Sequence, residues 1–335
     1  MEIITLSHGS GGKTTHKLIE NLFYKNFKND ILLQKNDSSI LQKMNGKVAV
    51  TTDSFVIKPI FFLGGDIGKL SICGTINDLA VSGAKPMYIT VGFIIEEGLE
   101  IGILEKIVMS MAKMAKQANV KVIAGDTKVV EKGSVDKIFI NTTGIGLIED
   151  RQLYLCANNI QEGDKVIISG SLGDHGMCIM SQREELGLDA NIKSDCNLLN
   201  TLIKDILNTS KNIRIMRDPT RGGLATTLNE IIAHSNRSIV LNEKDIFIKE
   251  EVMSMCQMLG FDPLYVANEG KVVVIVSKDD ANKVLDTMRG DPLGKNATII
   301  GEIIDDNKNR VYLKTDIGGT RILNMHDGEL LPRIC

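Results

Sequence analysis

Residues 100–124 read EIGILEKIVMSMAKMAKQANVKVIA, a segment in which a helix pattern is followed by a strand pattern. Its apolar residues recur at alternating spacings of three and four from Ile101 to Ala118, which predicts a helix with one buried face. The methionines on that face are typical of core packing against a sheet, although a sulfur-rich binding surface gives the same stripe. Residues 120–124 then predict a strand. The segment therefore indicates helices packed on sheets.

The same mixture of elements extends to both sides of this segment. In the first half the predicted elements are strand 3–6, helix 13–27, strand 48–52, helix 66–82 and strand 137–148. After a polar seam at 158–164, a second series includes helix 222–234, strand 263–277 interrupted at 268–270, and helix 281–289. No fixed-period repeat is present. We expect an α+β fold with two domains, 1–155 and 156–325, and a mobile tail, 326–335.

The composition is that of an ordinary globular protein of about two domains. The 335 residues are 43% hydrophobic and 24% charged, which excludes intrinsic disorder and collagen-like repeats. The 39 basic and 42 acidic residues give a net charge of −3, so no basic field predicts nucleic acid or an anionic membrane as partner. The longest uncharged runs, 86–95 and 138–148, are shorter than the roughly 18 residues that span a bilayer. Because the amino terminus lacks a signal-peptide pattern, we expect a cytosolic protein.

The six cysteines show no Cys-x-x-Cys spacing, so neither a zinc site nor a disulfide framework is predicted. Five are expected to be small buried hydrophobic residues. Cys335 differs because it is the last residue of the chain. A terminal cysteine is often incidental, but a mobile tail could also carry its sulfur to different sites as a nucleophile.

Residues 7–14, SHGSGGKT, nearly match the phosphate-loop pattern G-x-x-x-x-G-K-[ST] between a strand and a helix. Ser7 replaces the first glycine, and this weakens the prediction because glycine permits positive φ at that position. Three interpretations stay open: a true P-loop, a looser phosphate-binding loop that includes Gly11, Gly12 and Lys13, or a plain helix-capping turn.

Four aspartates, Asp37, Asp53, Asp78 and Asp126, stand where apolar segments end. Mg²⁺ prefers oxygen ligands and usually bridges a few carboxylates to substrate phosphates. Each aspartate alone is also typical of a turn or cap, so only their joint presence favours a metal–phosphate site.

In the second half, residues 217–223, RDPTRGG, precede a predicted helix. Backbone amides, the helix dipole and two arginines could converge there on an anion. The alternative is an Asp-Pro turn with Thr220 as the helix cap. The histidines show no zinc-binding spacing, and no G-x-S-x-G nucleophile motif occurs.

Taken together, these motifs resemble those of the HypE family of hydrogenase maturation factors, which are carbamoyl dehydratases. The motifs that carry the resemblance are HGSGGK at 8–13, TDS at 52–54, NDLAVSGAKP at 77–86, AGDTK at 124–128, RDPTRGG at 217–223 and the terminal PRIC at 332–335. The resemblance covers nearly the whole chain. It implies the fold of the aminoimidazole ribonucleotide synthetase and selenophosphate synthetase superfamily, in which amino-terminal domains pair into a β-barrel dimer and nucleotide binds in a cleft shared by both domains.

The resemblance also implies the cofactors and the residues that bind them. ATP and Mg²⁺ are the implied cofactors. The metal and phosphate positions are Asp37, Asp53, Asp78 and Asp218, and further nucleotide-binding positions are Gly11, Gly12, Lys13, Asn77, Asp126 and Arg217. Where superfamily members often carry two adjacent acids, this chain has Asn36-Asp37, which leaves the number of metals open.

The implied reaction is the ATP-dependent dehydration of a carbamoyl group on Cys335 to a thiocyanate. The carbamoyltransferase HypF would load the group, and the cyanide would pass to iron held by HypC and HypD. Lys128 and Glu269 match positions implied to transfer protons, although a salt-bridge lysine and a turn glutamate are equally good interpretations. Two other functions stay open: a small-molecule kinase or synthetase of the same superfamily, and a nucleotide-gated assembly factor whose terminal thiol binds iron.

Overall fold

The computed structural model describes residues 2–149, 154–183, 190–233, 235–325, 328, 331 and 333–335. The helices are α1 (Lys13–Leu18), α2 (Lys25–Phe27), α3 (Ile67–Val81), α4 (Ile101–Gln117), α5 (Asp174–Ser181), α6 (Asn200–Thr209), α7 (Gly223–Ile232), α8 (Glu250–Leu259) and α9 (Ala281–Gly290). The strands are β1 (Lys47–Phe55), β2 (Phe61–Phe62), β3 (Gly65–Asp66), β4 (Lys85–Glu96), β5 (Lys121–Val130), β6 (Ile138–Ile148), β7 (Lys165–Ile168), β8 (Ile213–Arg217), β9 (Ser238–Asn242), β10 (Val273–Val276), β11 (Thr298–Ile304), β12 (Val311–Lys314) and β13 (Thr320–Leu323). None of the described helices is long and apolar enough to cross a membrane.

The first half of the chain forms a four-stranded sheet in the order β1-β6-β4-β5. Strands β4 and β5 are parallel, and the other neighbours are antiparallel. Helices α3 and α4 pack together over the buried face of this sheet. The opposite face exposes apolar side chains, among them Val48, Val50 and Ile94. One face of the sheet is therefore covered by helices, whereas the other presents hydrophobic surface to solvent.

The second half forms a seven-stranded sheet in the order β13-β12-β9-β11-β7-β10-β8. Its central strands carry buried side chains on both faces, since one apolar cluster includes α7 and the other includes α6 and α9. Strands with both faces buried are typical of sheets covered by helices on two sides.

Helix α3 lies between the two halves. Nearly all of its side chains are buried, so it shows no polar face. Ile72 and Ile76 pack in the core of the first half, whereas Ala80 and Val81 pack with residues of the second sheet. A helix that is hydrophobic all round is expected in this position. Its carboxyl-terminal turn, which carries Asn77 and Asp78, therefore lies at the junction of the halves.

Most of the predicted elements are confirmed. Helix 100–118 corresponds to α4, helix 66–82 to α3, and strand 137–148 to β6. Helix 13–27 is one continuous helical segment, with a π-helical stretch between α1 and α2. Helix 222–234 corresponds to α7, although residue 234 lies outside the described residues.

One predicted strand is wrong, and another is confirmed only in its second part. Residues 3–6 contain only a single bridge between Ile3 and Glu100, because Thr5 binds the ring of His8 and the chain turns into a 3₁₀ helix at Leu6. Residues 263–277 become a strand only at β10. At their start, the Asp262 side chain accepts from the Leu264 N–H and begins a 3₁₀ turn.

Candidate active site

Three aspartates from distant parts of the chain face one another at the junction of the two halves. Asp53 lies on β1, Asp78 on the last turn of α3, and Asp218 directly after β8. Burial raises the pKa of all three carboxyl groups. Repulsion from Asp78 raises the pKa of Asp53 further, and burial together with Asp78 raises that of Asp218 to about 7. We call these three residues the acidic cluster, and it is an environment that favours a bound cation.

The packing of β1 against α3 creates this proximity. Thr51 donates a hydrogen bond from its hydroxyl to Asp78 Oδ2 at 2.8 Å. Gly74 of α3 allows this close packing, because a Cβ there would lie 3.1 Å from the Phe55 ring and 3.8 Å from Asp53 Oδ2. The alternation of β1 directs Thr51, Asp53 and Phe55 to the same face, toward α3.

Two arginines balance part of the negative charge. Arg217 and Arg221 both lower the pKa of Asp78, and Arg221 does the same for Asp53. Arg217 also pairs with Glu230 at 2.7 Å. Arg221 is the second of the two arginines that the sequence predicted at this anion-binding loop. The alternative role of Thr220 as helix cap is wrong, since Gly222 with φ of +73° is the cap residue of α7.

Cys335 lies beside this acidic cluster. Burial raises the pKa of its thiol to about 12, with a further contribution from Glu269 and then Asp53, while Arg221 lowers it. The described end of the predicted mobile tail is docked: the Val56 N–H donates to Cys335 O at 3.1 Å, and the Lys58 N–H to Arg333 O at 3.2 Å. Residue 332 of the PRIC motif lies outside the described residues.

Glu269 is buried next to the terminal cysteine, and its pKa is raised well above the ordinary range by burial, then by Asp218 and Asp195. Asp195 holds the backbone of this turn, because its carboxylate accepts from the Glu269 N–H at 3.1 Å and the Gly270 N–H at 3.2 Å. Lys271 donates to the same carboxylate at 3.0 Å. Sequence analysis missed Asp195, since nothing in its local sequence marks it and only the fold places it under Glu269.

Asn77, a predicted nucleotide-binding residue, uses its side chain for hydrogen bonds within the protein. It is buried, its amide nitrogen donates to Asn197 O at 2.9 Å and Glu269 O at 3.4 Å, and its oxygen accepts from the Leu199 N–H at 2.8 Å. The side chain therefore joins α3 to two loops of the second half.

The remaining predicted residues lie elsewhere in the chain. A cleft of about 280 Å³ between the amino-terminal loop and β5 is lined by Gly11, Asp37, Asp126 and Lys128 among others. Phe23 and Phe93, whose rings stack with centroids 5.0 Å apart, form part of its apolar wall. Lys128 pairs with Asp126 at 2.8 Å and is largely exposed.

The glycine loop borders this cleft. Gly11 has φ of +80°, Gly12 is the cap residue of α1, and Lys13 is exposed at the first position of the helix. Strand β5 is separated from β1 by β4 and β6, so the backbones of Asp126 and Asp53 are about 14 Å apart, the width of three strand spacings. Within one chain the structure thus forms two groups: the acidic cluster with Arg217, Glu269 and Cys335, and the cleft with Gly11, Asp37, Asp126 and Lys128.

The acidic cluster fits Mg²⁺ in its oxygen chemistry but not as a complete ligand cage. Within the described ranges, no three His, Cys, Asp or Glu side chains are grouped closely enough to hold a metal by themselves. Mg²⁺ usually keeps waters and takes one or two carboxylates together with substrate phosphates. Partly buried carboxyl groups with raised pKa suit an ion that arrives with a polyphosphate.

Comparison with known proteins identifies the family of each half of the chain. Residues 35–148 match the family described as AIR synthase related protein, N-terminal domain, and residues 161–314 match its C-terminal domain counterpart. A carbamoyl dehydratase HypE of Bradyrhizobium diazoefficiens is 47% identical over 99% of this chain and 96% of its own length.

Solved structures share the fold of this chain. The crystal structure of a hydrogenase maturation protein HypE in complex with ATP has a TM-score of 0.93 and 44% identity, covering 98% of this chain and 99% of that chain. The crystal structure of a HypE–HypF complex gives a TM-score of 0.80 and 48% identity, covering 92% and 99%. The chain therefore belongs to the HypE family of carbamoyl dehydratases, enzymes of hydrogenase maturation built from an N-terminal and a C-terminal AIR synthase related domain.

Proposed function

We propose that this enzyme uses ATP to dehydrate a carbamoyl group carried on Cys335, and that the product is a cysteine thiocyanate. The observation that carries the proposal is the docking of the terminal thiol beside Glu269 and the acidic cluster. A carrier arm, a proton acceptor and a phosphate-binding environment meet at this point. A related HypE that binds ATP supports the choice of nucleotide.

The reaction balances with these groups. The carbamoyl oxygen takes the γ-phosphoryl group of ATP, which releases ADP and makes that oxygen a good leaving group. The carbamoyl nitrogen gives up both of its protons: the first is lost to solvent when the oxygen is phosphorylated, and Glu269 takes the second as the C–O bond breaks with loss of phosphate. Carbon and nitrogen are then joined by a triple bond, and the bond between that carbon and the Cys335 sulfur is unchanged. The oxygen of the eliminated water leaves in the phosphate. Burial raises the pKa of Glu269, which makes its carboxylate a stronger proton acceptor.

Asp53, Asp78 and Asp218 are the residues that would hold Mg²⁺. When bound, the ion offsets charge on the transferring phosphoryl group. Arg217 and Arg221 add positive charge next to the same cluster. Gly11, Gly12, Lys13 and Asp126 would bind the nucleotide in the amino-terminal cleft, with Asp37 and Lys128 on the same wall.

A homodimer would explain why the acidic cluster and the amino-terminal cleft lie apart within one chain. Strands β1 and β5 are the two edges of the amino-terminal sheet, and the open face between them is rich in exposed apolar residues. A second copy packed on this face would cover Val48, Val50 and Ile94 and could bring its own cleft toward the acidic cluster. Closing two such sheets into a barrel would also pair their free edges.

The tail must leave its dock to be loaded. Only a thiolate is a strong nucleophile, and the docked thiol, with a pKa of about 12, stays protonated at neutral pH. We therefore place carbamoylation by HypF on the undocked tail; a related HypE that forms a complex with HypF supports this partner. Transfer of cyanide to iron on HypC and HypD would use the undocked tail again. The reaction is placed in the cytosol, where the six free cysteines stay reduced.

Mass spectrometry tests this proposal. The protein is incubated with HypF, carbamoyl phosphate and ATP, and the C-terminal peptide is followed. We expect carbamoylation of Cys335, then loss of one water that depends on both ATP and Mg²⁺. Glu269→Gln should be carbamoylated but dehydrated about 10²- to 10³-fold more slowly.

Cys156→Ala is the matched control, because Cys156 is the other cysteine that is not fully buried. It should react like the wild type, whereas Cys335→Ala should gain neither modification. A Cys335→Ala protein that still acquired the cyano group would refute the proposal.

A further inference from the structure

We propose that His175 is a positioning residue for the dehydration step, since its ring fixes the backbone of Ile334 and so orients the Cys335 sulfur toward Glu269. The proposal rests on the proposed function of Cys335. His175 was not among the predicted site residues, and it lies on the first turn of α5, in the second half of the chain.

Both ring nitrogens of His175 are used. Nε2 lies 2.6 Å from the Ile334 carbonyl oxygen, and Nδ1 lies 2.8 Å from Ser194 Oγ. Because a carbonyl oxygen can only accept, Nε2 must carry the hydrogen, and Nδ1 of the neutral ring then accepts from the Ser194 hydroxyl. The ring is completely buried, and its edge-on contact with Phe62 has centroids 5.6 Å apart. The imidazole therefore has one orientation and one tautomer.

The bond to Ile334 is the middle one of three consecutive bonds to the tail. The carbonyls of Arg333 and Cys335 accept from the backbone N–H groups of Lys58 and Val56, in the first half of the chain. The intervening carbonyl of Ile334 accepts from His175, in the second half. The last three residues are thus held from both halves, and His175 holds the residue that directly precedes the reactive cysteine.

The start of α5 is also shaped for the tail. At Gly176 a Cβ would lie 2.5 Å from Val266 Cγ1, which excludes other residues, and 3.1 Å from Leu331 Cδ1, so the tail packs closely against this glycine. The side chains of Leu331 and Ile334 are buried in the same core cluster as Met177 of α5. Hydrophobic packing thus holds the tail in the groove, while the directional hydrogen bond from His175 sets its register.

Removing this bond should change docking without changing nucleotide binding. His175→Leu cannot donate to Ile334, so we expect single-turnover dehydration of pre-carbamoylated protein to slow by about ten-fold, the value of one buried hydrogen bond. ATP affinity, measured by calorimetry on the same protein, should stay within about two-fold. His175→Gln, whose amide can donate, should lose less than the leucine variant. The exposed His16, changed to Gln, serves as the matched control and should behave as wild type.

Alkylation of the unmodified protein gives a readout that does not need catalysis. Iodoacetamide should label Cys335 faster in His175→Leu by up to about ten-fold, because the undocked fraction rises. Ser194→Ala keeps the imidazole but removes the hydroxyl bound to Nδ1; it should shift labelling in the same direction by less, which provides the test if the leucine variant fails to fold.

The inference would be overturned if His175→Leu were labelled and dehydrated at wild-type rates. If that variant does not fold, unchanged labelling in Ser194→Ala would overturn it. Neither result would affect the proposed function. Equal losses in the Leu and Gln variants would also overturn it, because a purely structural role does not distinguish a donor from an apolar side chain. If the wild type itself failed to dehydrate, the proposed function would fall, and the labelling series would still decide whether His175 docks the tail.

Discussion

At the scale of single residues, the carboxyl groups of the acidic cluster lower the free energy of unfolding of the ligand-free protein. Asp218 is only partly exposed and is repelled by Asp78 and Asp53, so its pKa is about 7 in the folded chain. An unfolded aspartate titrates near 3.9. Between these values the folded state binds more protons than the unfolded state, so the free energy of unfolding falls as the pH rises through this range.

Asp218→Asn should therefore stabilise the ligand-free protein. We expect a gain of about 1–2 kcal/mol in the free energy of unfolding just above pH 7, because the variant carries no charge to be desolvated or repelled. The gain should shrink as the pH falls toward the ordinary range of aspartate. Denaturant titrations at several pH values measure it. Stabilisation by Mg²⁺ with a nonhydrolysable ATP analogue should weaken in the variant; an unchanged response to Mg²⁺ would remove Asp218 from the set of metal ligands.

At the scale of elements, α3 joins the two halves and places Asp78 and Asn77 at the site. Its apolar residues pack in cores on both sides, so the helix has no solvent-facing polar stripe. Among its buried polar side chains, Asn77 forms its hydrogen bonds with loops of the second half. The position of the Glu269 turn therefore depends on this helix.

Asn77→Ala tests this role. The change leaves the buried Leu199 N–H without its partner and removes the part-buried bond to the Asn197 carbonyl, so we expect a loss of about 2–4 kcal/mol in the free energy of unfolding. Asn212→Ala is the matched control, because its side chain binds Asp280 at an exposed position and should cost less than about 1 kcal/mol. Thermal denaturation of both variants distinguishes them. A cost at Asn77 no greater than that at Asn212 would contradict a role in joining the halves.

At the scale of the whole molecule, the amino-terminal sheet leaves an apolar face and two edges open. Val50, on β1, is 65% exposed. A glutamate there would place a charge in the centre of the proposed dimer contact, where it would lose its water without gaining a partner.

We therefore expect Val50→Glu to be monomeric at concentrations where the wild type is dimeric, as measured by sedimentation velocity. Ile317→Glu provides the control, since Ile317 is 96% exposed and lies in the turn between β12 and β13, away from this sheet. A wild-type protein that sediments as a monomer would refute the dimer, as would a Val50→Glu variant that remains dimeric.

Sequence alone predicted the structural features that depend only on residues close together along the chain. The three-four spacing of residues 101–118 requires only the geometry of a helix, and the motifs around Asp53, Asp78 and Asp218 are readable wherever their chain segments lie. Strand β4 was missed because its uncharged run, 86–95, has a composition that fits a buried strand or a buried helix.

Sequence also determined the family, through a series of short motifs and a terminal cysteine whose order along the chain is specific. Tertiary structure alone decided which of those motifs meet. Residues 53, 78, 218, 269 and 335 converge because α3 packs between two sheets, whereas Asp37, Asp126 and Lys128 remain at the far edge of the first sheet. His175 and Asp195 acquire their roles only from contacts with residues more than 70 positions away. Such contacts depend on strand register and helix packing, and local periodicity carries no information about either.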